Sequence, residues 1–442
     1  MTSVEESENG ATPQHRHMMP CACHCEACRA LGHGNTCVVL RLGLMRLFHG
    51  KADIVDQILR HCHGASAWGT ARFDAVRFLC AQYGPGDVIV LGGQDGRVQL
   101  ICAQTGEKML CLRHGHRAFV KSVSWNHDGT KLVSGSNDHT LKIWDPATGE
   151  CLWTLSGHSE VNPKCTCRRY YDEDGDDYIT ADPDCPEKGH RDMVQSVHFC
   201  PDGTRIISGG LDKAVRIWDA ASGEQLCSIQ VDSPVQSVAY SADGTKFAVG
   251  LTSLTNGVLI FDARTNEQLC ALNVDEQLTA AALMNLHGQF SSVAFSVDGS
   301  KLAAVFRVLN EDGEALASGV KKFSNQGSTG YVSKSTLQLG TIVTCVSYAP
   351  SGDILAVGDF DGDNGNIHLF NSQGEKTQSP VSVDDQVQSV AFSVDGSKLA
   401  VVFSHGGFED GGIKILTNQG SAGFVCQSTL HLNFALDAPQ QT

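Results

Sequence analysis

Seven short segments in which apolar and polar residues alternate recur along the chain. They read AVRFL, SVSW, SVHF, SVAY, SVAF, CVSY and SVAF. Their shared valine position holds Val76, Val123, Val197, Val238, Val293, Val346 and Val390. Alternation with a period of two is typical of β-strands whose two faces have different surroundings. The pattern therefore predicts seven equivalent first strands.

A tight turn follows each of these strands. It is Asp-Gly in five repeats, starting at Asp128, Asp202, Asp243, Asp298 and Asp395. Residues 351–352 and 84–86 take the same place in the other two repeats. Glycine accepts the positive φ that a tight hairpin turn requires. A second apolar strand, another turn and two further strands complete each unit, which predicts a four-stranded antiparallel sheet.

A sheet of this kind has two apolar faces and cannot bury both of them alone. Seven such sheets packed radially bury both faces and leave few exposed edges. We therefore predict an all-β fold, a seven-bladed β-propeller of four-stranded antiparallel blades, over residues 72–434. Residues 435–442 would form a tail. The last repeat contains a fourth strand of its own, VCQSTLHL, so strand exchange between the termini is not evident.

Two of the repeats carry an additional set of polar residues. The run GH, then SVSWNHDGTKLVSGSNDHTLKIWD, then TGE resembles the signature of the WD-repeat (WD40) family almost residue for residue. In that family a His–Ser–Asp–Trp hydrogen-bond relay holds a blade together. The matching residues are His116, Ser134, Asp138 and Trp144 in the second repeat, and His190, Ser208, Asp212 and Trp218 in the third. The resemblance implies a structural role for these residues, and we predict no catalytic residue among them.

The other repeats depart from this signature. The first keeps Asp95 but has Leu91 and Ile101 in the Ser and Trp positions. Repeats four to seven lack the full set and have longer second turns, such as those within 307–319 and 359–366. Repeats five and seven share the segment SVAFSVDGSKLA, which indicates an internal duplication.

Composition limits the cellular locations and the classes of partner that we expect for the chain. The formal net charge is −16, and an acidic chain repels phosphate backbones, so we expect no nucleic-acid partner. No apolar run approaches the roughly 20 residues of a membrane-spanning helix, and the polar N-terminal segment contains no secretory signal. We expect a cytoplasmic protein, with the nucleus as the alternative, whose 18 cysteines are reduced thiols.

Residues 1–70 form a Cys/His-rich extension that we expect to be partly disordered. Its densest part contains four closely spaced cysteines, Cys21, Cys23, Cys25 and Cys28. Thiolates at such short spacing can bind zinc, but the run lacks the separated pairs of established zinc folds. We therefore predict no cofactor and keep zinc as the alternative. Apolar residues at helical spacing predict a short helix over 51–62.

An insertion at residues 159–189 separates the second and third repeats. It contains Cys165, Cys167 and Cys185 and an acidic run at 172–177. These cysteines could form a metal clip with His158, but we interpret the segment as a solvated loop on one rim of the propeller. Long loops on a rigid scaffold often carry recognition, so we expect this insertion to determine partner specificity.

The sequence contains no Gly-rich phosphate loop, no G-x-S-x-G elbow and no H-E-x-x-H. We predict a non-catalytic protein-interaction scaffold, a monomeric propeller within a larger complex of proteins or peptides, with no membrane partner. One alternative is a substrate receptor of a cullin-type ubiquitin ligase. Phe261–Arg264 (FDAR) is similar to the W-D-x-R of such propellers. The other alternative is a metal-binding regulatory protein that uses the N-terminal cysteines.

Overall fold

A computed structural model describes the chain from residue 77 to residue 432, apart from ten internal stretches. These stretches are 113–114, 157–167, 172–176, 181–188, 254–255, 274–286, 311–314, 328–329, 384 and 405–410. The predictions for residues 1–70, including the zinc alternative at Cys21, Cys23, Cys25 and Cys28, therefore lie outside the described residues. The same holds for the helix at 51–62 and for the tail at 435–442.

Seven four-stranded antiparallel sheets form the blades of the described chain. Blade 1 contains β1 (Phe78–Gly84), β2 (Val88–Gly93), β3 (Val98–Cys102) and β4 (Lys108–Cys111). Blade 2 contains β5 (Val120–Trp125), β6 (Leu132–Ser136), β7 (Leu141–Asp145) and β8 (Glu150–Leu155). Blade 3 contains β11 (Val194–Phe199), β12 (Arg205–Gly210), β13 (Ala214–Asp219) and β14 (Gln225–Gln230). Blade 4 contains β15 (Val235–Tyr240), β16 (Lys246–Leu251), β17 (Val258–Asp262) and β18 (Gln268–Leu272).

Among the remaining blades, blades 5 and 7 have longer second and third strands. Blade 5 contains β19 (His287–Phe295), β20 (Lys301–Leu309), β21 (Ala315–Asn325) and β22 (Tyr331–Leu337). Blade 6 contains β23 (Ile342–Tyr348), β24 (Leu355–Phe360), β25 (Gly365–Phe370) and β26 (Val381–Val383). Blade 7 contains β27 (Val387–Phe392), β28 (Lys398–Ser404), β29 (Gly411–Asn418) and β30 (Phe424–Leu432). A single turn of 3₁₀ helix at Gly420–Ala422 joins the last two strands.

Every blade has its four strands in chain order, and the first strands of neighbouring blades contact one another around the central axis. The predicted seven-bladed propeller is thereby confirmed. The connections between blades and the turns between second and third strands lie on one rim, which we call the upper rim. The turns between first and second strands lie on the opposite, lower rim, because successive strands run in opposite directions.

An apolar core fills each gap between neighbouring blades. Between blades 2 and 3, for example, Val133 and Ile143 of one blade pack with Val194 and Phe199 of the next. The second strands are buried because both of their faces meet such a core, and all six residues of β2 are buried. At Gly135 on β6, an added Cβ would lie 2.8 Å from Cγ1 of Val194. The missing side chain lets blade 3 approach closely.

The ring closes where blade 7 packs against blade 1. The apolar core of this seam includes Leu91 and Ile101 of blade 1 and Val402 and Ile413 of blade 7. Two polar contacts cross the seam: Lys398 Nζ lies 2.7 Å from Asp87 Oδ2, and the Ala81 amide donates to Ser389 Oγ over 3.4 Å. Each of the two blades uses four consecutive strands of its own, so the seam is held by side-chain packing and not by an exchanged strand.

The position of the first strand of blade 1 differs from the prediction. We predicted Val76 in the shared valine position, but β1 begins at Phe78, and Ala81 takes that place. Ala81 lies opposite Leu91 as Val123 lies opposite Ser134 in blade 2. The register of a hairpin is fixed by its turn. Ala81 precedes the glycine-rich turn by the usual distance, whereas Val76 lies too far upstream.

The insertion between blades 2 and 3 contains a short antiparallel hairpin, formed by β9 (Arg168–Tyr171) and β10 (Asp177–Thr180). This hairpin is a separate two-stranded sheet, within the segment that we interpreted from the sequence as a solvated loop. The polar residues of its strands gave no clear alternating pattern. Within the described part of the chain, no helix has the length and the apolar character needed to cross a membrane.

Candidate functional site

Blade 2 brings its four predicted relay residues together. Trp144 Nε1 donates to Ser134 Oγ over 2.8 Å, and His116 Nε2 lies 2.7 Å from the same oxygen. On the other side of the ring, His116 Nδ1 lies 3.0 Å from Asp138 Oδ2. The backbone amide of Arg117 also donates to this carboxylate over 2.9 Å. The relay thus joins the connection before β5 to the second and third strands.

Blade 3 repeats the arrangement with the same geometry. Trp218 Nε1 donates to Ser208 Oγ over 2.8 Å, and His190 Nε2 lies 2.7 Å from that oxygen. His190 Nδ1 lies 2.9 Å from Asp212 Oδ1. Asp212 has an additional partner in this blade, since Arg216 Nη2 lies 3.1 Å from Oδ2. The carboxylate therefore connects the upper-rim turn with both the imidazole and the third strand.

The hydrogen-bond partners in the blade 3 relay determine which atom carries each proton. A carboxylate only accepts hydrogen bonds and an indole N–H only donates them. Nδ1 of His190 therefore carries the proton that is donated to Asp212. Because Ser208 Oγ already accepts from Trp218, its own hydroxyl proton is donated to Nε2 of His190. Every group in the relay has a partner, and the neutral imidazole is the form that fits.

Charge and burial favour the same protonation state. Burial lowers the pKa of His190, and the hydrogen bond and charge of Asp212 offset this only in part. Burial raises the pKa of Asp212, but His190, Arg216 and the Arg191 amide outweigh that effect, so the pKa of this carboxyl is lowered. The same balance lowers the pKa of Asp138 in blade 2. In blade 3, a neutral His190 beside an ionised Asp212 is the stable state at neutral pH.

These relays resemble the arrangement of a hydrolytic triad but differ from it in access. His190 and Ser208 are completely buried, and the serine oxygen is occupied by the tryptophan indole. A nucleophilic serine needs a reacting atom within reach on its open side. Neither relay presents such a side to solvent, so its hydrogen bonds can hold a blade together but cannot reach a substrate.

We expect protonation of His190 to destabilise the protein at mildly acidic pH. The folded state holds a lowered His190 pKa, whereas the unfolded chain has the ordinary value of 6.5. The unfolded state therefore binds the proton first, and the free energy of unfolding falls as the pH drops below about 6.5. Denaturant unfolding between pH 5 and pH 8 should show this slope, and His190→Gln should reduce it by up to about 1.4 kcal/mol per pH unit. An unchanged slope in the variant would contradict the assignment.

Blade 6 contains a polar pair that the sequence analysis missed. His368 Nε2 lies 2.9 Å from Asp359 Oδ2, and Thr341 Oγ1 donates to the same oxygen over 2.5 Å. The Asn366 amide donates to the other carboxylate oxygen over 2.9 Å. His368 lies on the third strand opposite Val357, which occupies the serine position. The histidine therefore approaches the aspartate from another strand, and its sequence spacing differs from the WD-repeat pattern.

The described residues add little support for the two alternatives, the ubiquitin-ligase motif and the metal site. Arg264, which we compared with the ligase-binding motif, is exposed on the turn after β17, where its amide donates to Asp262 Oδ1. Among the described residues, no group of three or more His, Cys, Asp and Glu side chains could hold a metal ion. Cys165, Cys167 and Cys185 of the insertion and the N-terminal cysteines lie outside those residues.

Comparison with known proteins identifies the repeat. The family model of the WD domain, G-beta repeat, matches residues 108–145, 183–219 and 333–371. WD repeat-containing protein 1 of Xenopus tropicalis is 27% identical over 360 residues, which cover 74% of this chain and 53% of that protein. THO complex subunit 3 of Arabidopsis thaliana is 32% identical over 137 residues, which cover 31% of this chain and 35% of that protein. The chain thus spans about half the length of the first relative.

A solved structure shows the same architecture. The structure of U3-55K superposes with a TM-score of 0.53 at 14% sequence identity, covering 76% of this chain and 91% of that one. Two matched units of this chain, 108–145 and 333–371, begin on a fourth strand and end at or just after the third strand of the next blade. The repeat in sequence is therefore offset by one strand from the blade in space. The chain therefore contains WD repeats at residues 108–145, 183–219 and 333–371, within a seven-bladed β-propeller.

Proposed function

We propose that this protein is a non-catalytic scaffold that assembles protein complexes. The observation that carries this proposal is the engagement of both relays: the residues that look catalytic are buried in hydrogen bonds within their own blades. Other molecules can therefore contact the surface of the ring but not its relay residues. One relative is a subunit of the THO complex, and another, from Brugia malayi, is a ribosome biogenesis protein. A scaffold role in such assemblies is what we propose for this chain.

The upper rim is the surface best suited to a partner. Phe119 and Met193 take equivalent places, directly before the first strands of blades 2 and 3, and they are 41% and 37% exposed. Large apolar side chains left in water on a rim favour contact with another protein. The insertion at 159–189 leaves the ring between the same two blades, so it belongs to the same rim. We infer that the apolar positions give affinity and that the insertion selects the partner.

The partners that fit this surface are proteins or peptides. A net charge of −16 disfavours the phosphate backbone of a nucleic acid. The proposal covers a single propeller within a larger complex, in the cytoplasm or the nucleus. Residues 1–70 would extend from the ring as a separate Cys/His-rich segment.

Two variants of the upper rim test this proposal. One variant is the double replacement Phe119→Ala, Met193→Ala, and the other is the deletion of residues 159–189. We expect each to reduce the recovery of specific co-purified proteins from cell extract by about tenfold. Truncation of a central apolar anchor lowers the binding free energy by about 1.4 kcal/mol or more. The thermal midpoint of each variant should stay close to that of the unchanged protein. The measurement is quantitative mass spectrometry of material captured on the tagged full chain.

The matched control lies on the lower rim. Val394 is 70% exposed in the turn between β27 and β28, so Val394→Ala removes a comparable exposed side chain from the opposite surface. It should leave the recovered proteins unchanged. Equal losses from the lower-rim and upper-rim variants, or no specific partner on the unchanged chain, would refute the proposal.

A further inference from the structure

A cavity of about 340 Å³ opens on the upper rim between blades 5 and 6. Three segments line it: the start of β21 at 315–318, the connection into β23 at 338 and 340–342, and the turn after β24 at 360–362. None of these residues belongs to the two complete relays. The size is at the lower end for ligand pockets and suits one or two side chains of a partner better than a large cofactor.

The walls of the cavity combine apolar and polar surface in nearly equal shares. Leu316, Ile342 and Phe360 contribute its largest apolar side chains, and Leu316 is 59% exposed. Ile342, the first residue of β23, takes the place in blade 6 that Phe119 and Met193 take in blades 2 and 3, directly before the buried valine of the first strand. The cavity therefore continues the upper-rim surface that we assign to protein contact.

A single charged residue, Asp361, lies among the lining residues. Its Oδ1 accepts hydrogen bonds from the amides of Asp363, over 3.0 Å, and Asn364, over 2.8 Å. These backbone hydrogen bonds lower the pKa of Asp361, so the group is a carboxylate at neutral pH. They also hold it in one position at the mouth of the cavity.

Thr341 gives the opposite wall a fixed position. Its Oγ1 donates to the buried carboxylate of Asp359, which also accepts from His368 and from the Asn366 amide. The polar pair of blade 6 thus anchors the connection that lines the cavity. A wall held in this way is formed before any partner arrives, which lowers the entropy cost of binding.

We propose that this cavity binds a lysine or arginine side chain of a protein partner. Such side chains combine an apolar stem with a cationic head, and they lay the stem along apolar surface while the head stays near water. Leu316, Ile342 and Phe360 would contact the stem, and Asp361 would pair with the head. The proposal rests on the scaffold function, since it names the chemistry of the partner at one point of the upper rim.

The test uses the full chain and four acetylated pentapeptides, Gly-Ala-Xaa-Ala-Gly amides in which Xaa is lysine, arginine, norleucine or glutamate. Binding is followed by the methyl resonances of Ile342 and Leu316 in NMR titrations. The lysine and arginine peptides should shift these resonances and bind about two- to fivefold more tightly than the norleucine peptide, as expected for a solvent-exposed ion pair. Raising the salt concentration should remove that difference.

Asp361→Asn provides the decisive variant, because the amide keeps Oδ1 as an acceptor for the two backbone hydrogen bonds and removes the charge. It should abolish the preference for lysine over norleucine, whereas Asp363→Asn, in the same turn but outside the lining, should preserve it. Equal binding of norleucine and lysine peptides, tighter binding of the glutamate peptide, or no shift with any peptide would overturn the proposal.

This test and the test of the scaffold function can fail separately. If the peptides do not bind as expected but the variant of Phe119 and Met193 still loses its co-purified proteins, the cavity proposal fails and the scaffold function stands. Peptide binding without any captured protein would refute the scaffold function alone.

Discussion

Replacement of Asp212 by alanine is expected to lower the free energy of unfolding by about 3–5 kcal/mol. The carboxylate is almost fully buried and accepts from His190, from the Arg191 amide and from Arg216. Its removal leaves two N–H donors and a buried guanidinium without their acceptor, and an unsatisfied buried charge is the costly part of a broken ion pair. Urea denaturation, followed by tryptophan fluorescence and circular dichroism, measures the loss.

A suitable control for this variant is Asp232→Ala. Asp232 is an exposed aspartate in the connection that follows blade 3, so its replacement removes the same charge without burying an unpaired group. We expect a change within about 0.5 kcal/mol. If both variants lost the same small amount, the relay would not stabilise blade 3, and the structural role assigned to it would be wrong.

Replacement of Phe290 by alanine is expected to cost a similar amount, about 3–5 kcal/mol. Phe290 lies on the first strand of blade 5, which has no relay, and it is completely buried. Its ring covers Gly257 of blade 4 so closely that a Cβ on that glycine would collide with it. Alanine would leave a cavity at this contact between blades. Denaturant unfolding of the variant gives the loss directly.

Phe119→Ala is the matched control, because Phe119 occupies the neighbouring place before a first strand but is 41% exposed. Its loss of stability should be well below 1 kcal/mol. Phe290→Val should lie between the two, since valine occupies this position in blades 3 and 4, as Val194 and Val235. Equal costs for Phe290→Ala and Phe119→Ala would show that packing does not replace the relay in blade 5.

The repeat was predictable from the sequence because local, periodic features specify it. Alternation in seven segments and an Asp-Gly turn in five of them each act within a few residues, and the copies reinforce one another. The relay residues were also predictable, since His190 and Asp212 keep the spacing of His116 and Asp138. A pattern found in two blades at the same spacing specifies the same contacts.

The features that escaped prediction depend on contacts between blades or on a shifted register. His368 meets Asp359 from the third strand, where other blades carry Lys142 or Arg216, so no repeat of the pattern marks it. Val76 fitted the strand pattern, but the turn at residues 84–86 determines the register of blade 1. The cavity between blades 5 and 6 arises from three segments that are distant in sequence, and alternation within one strand carries no information about them.

The apparent mass at which the protein elutes from cell extract most directly tests the claim that it is a scaffold within a larger complex. The chain alone has a mass of 47.3 kDa. Size-exclusion chromatography with detection of the tagged full chain at physiological salt should find it in fractions well above this mass, and the purified chain should return to 47.3 kDa. The upper-rim variants should move toward the lower mass in extract, whereas Val394→Ala should not. A chain that elutes as a free monomer in extract would contradict the scaffold.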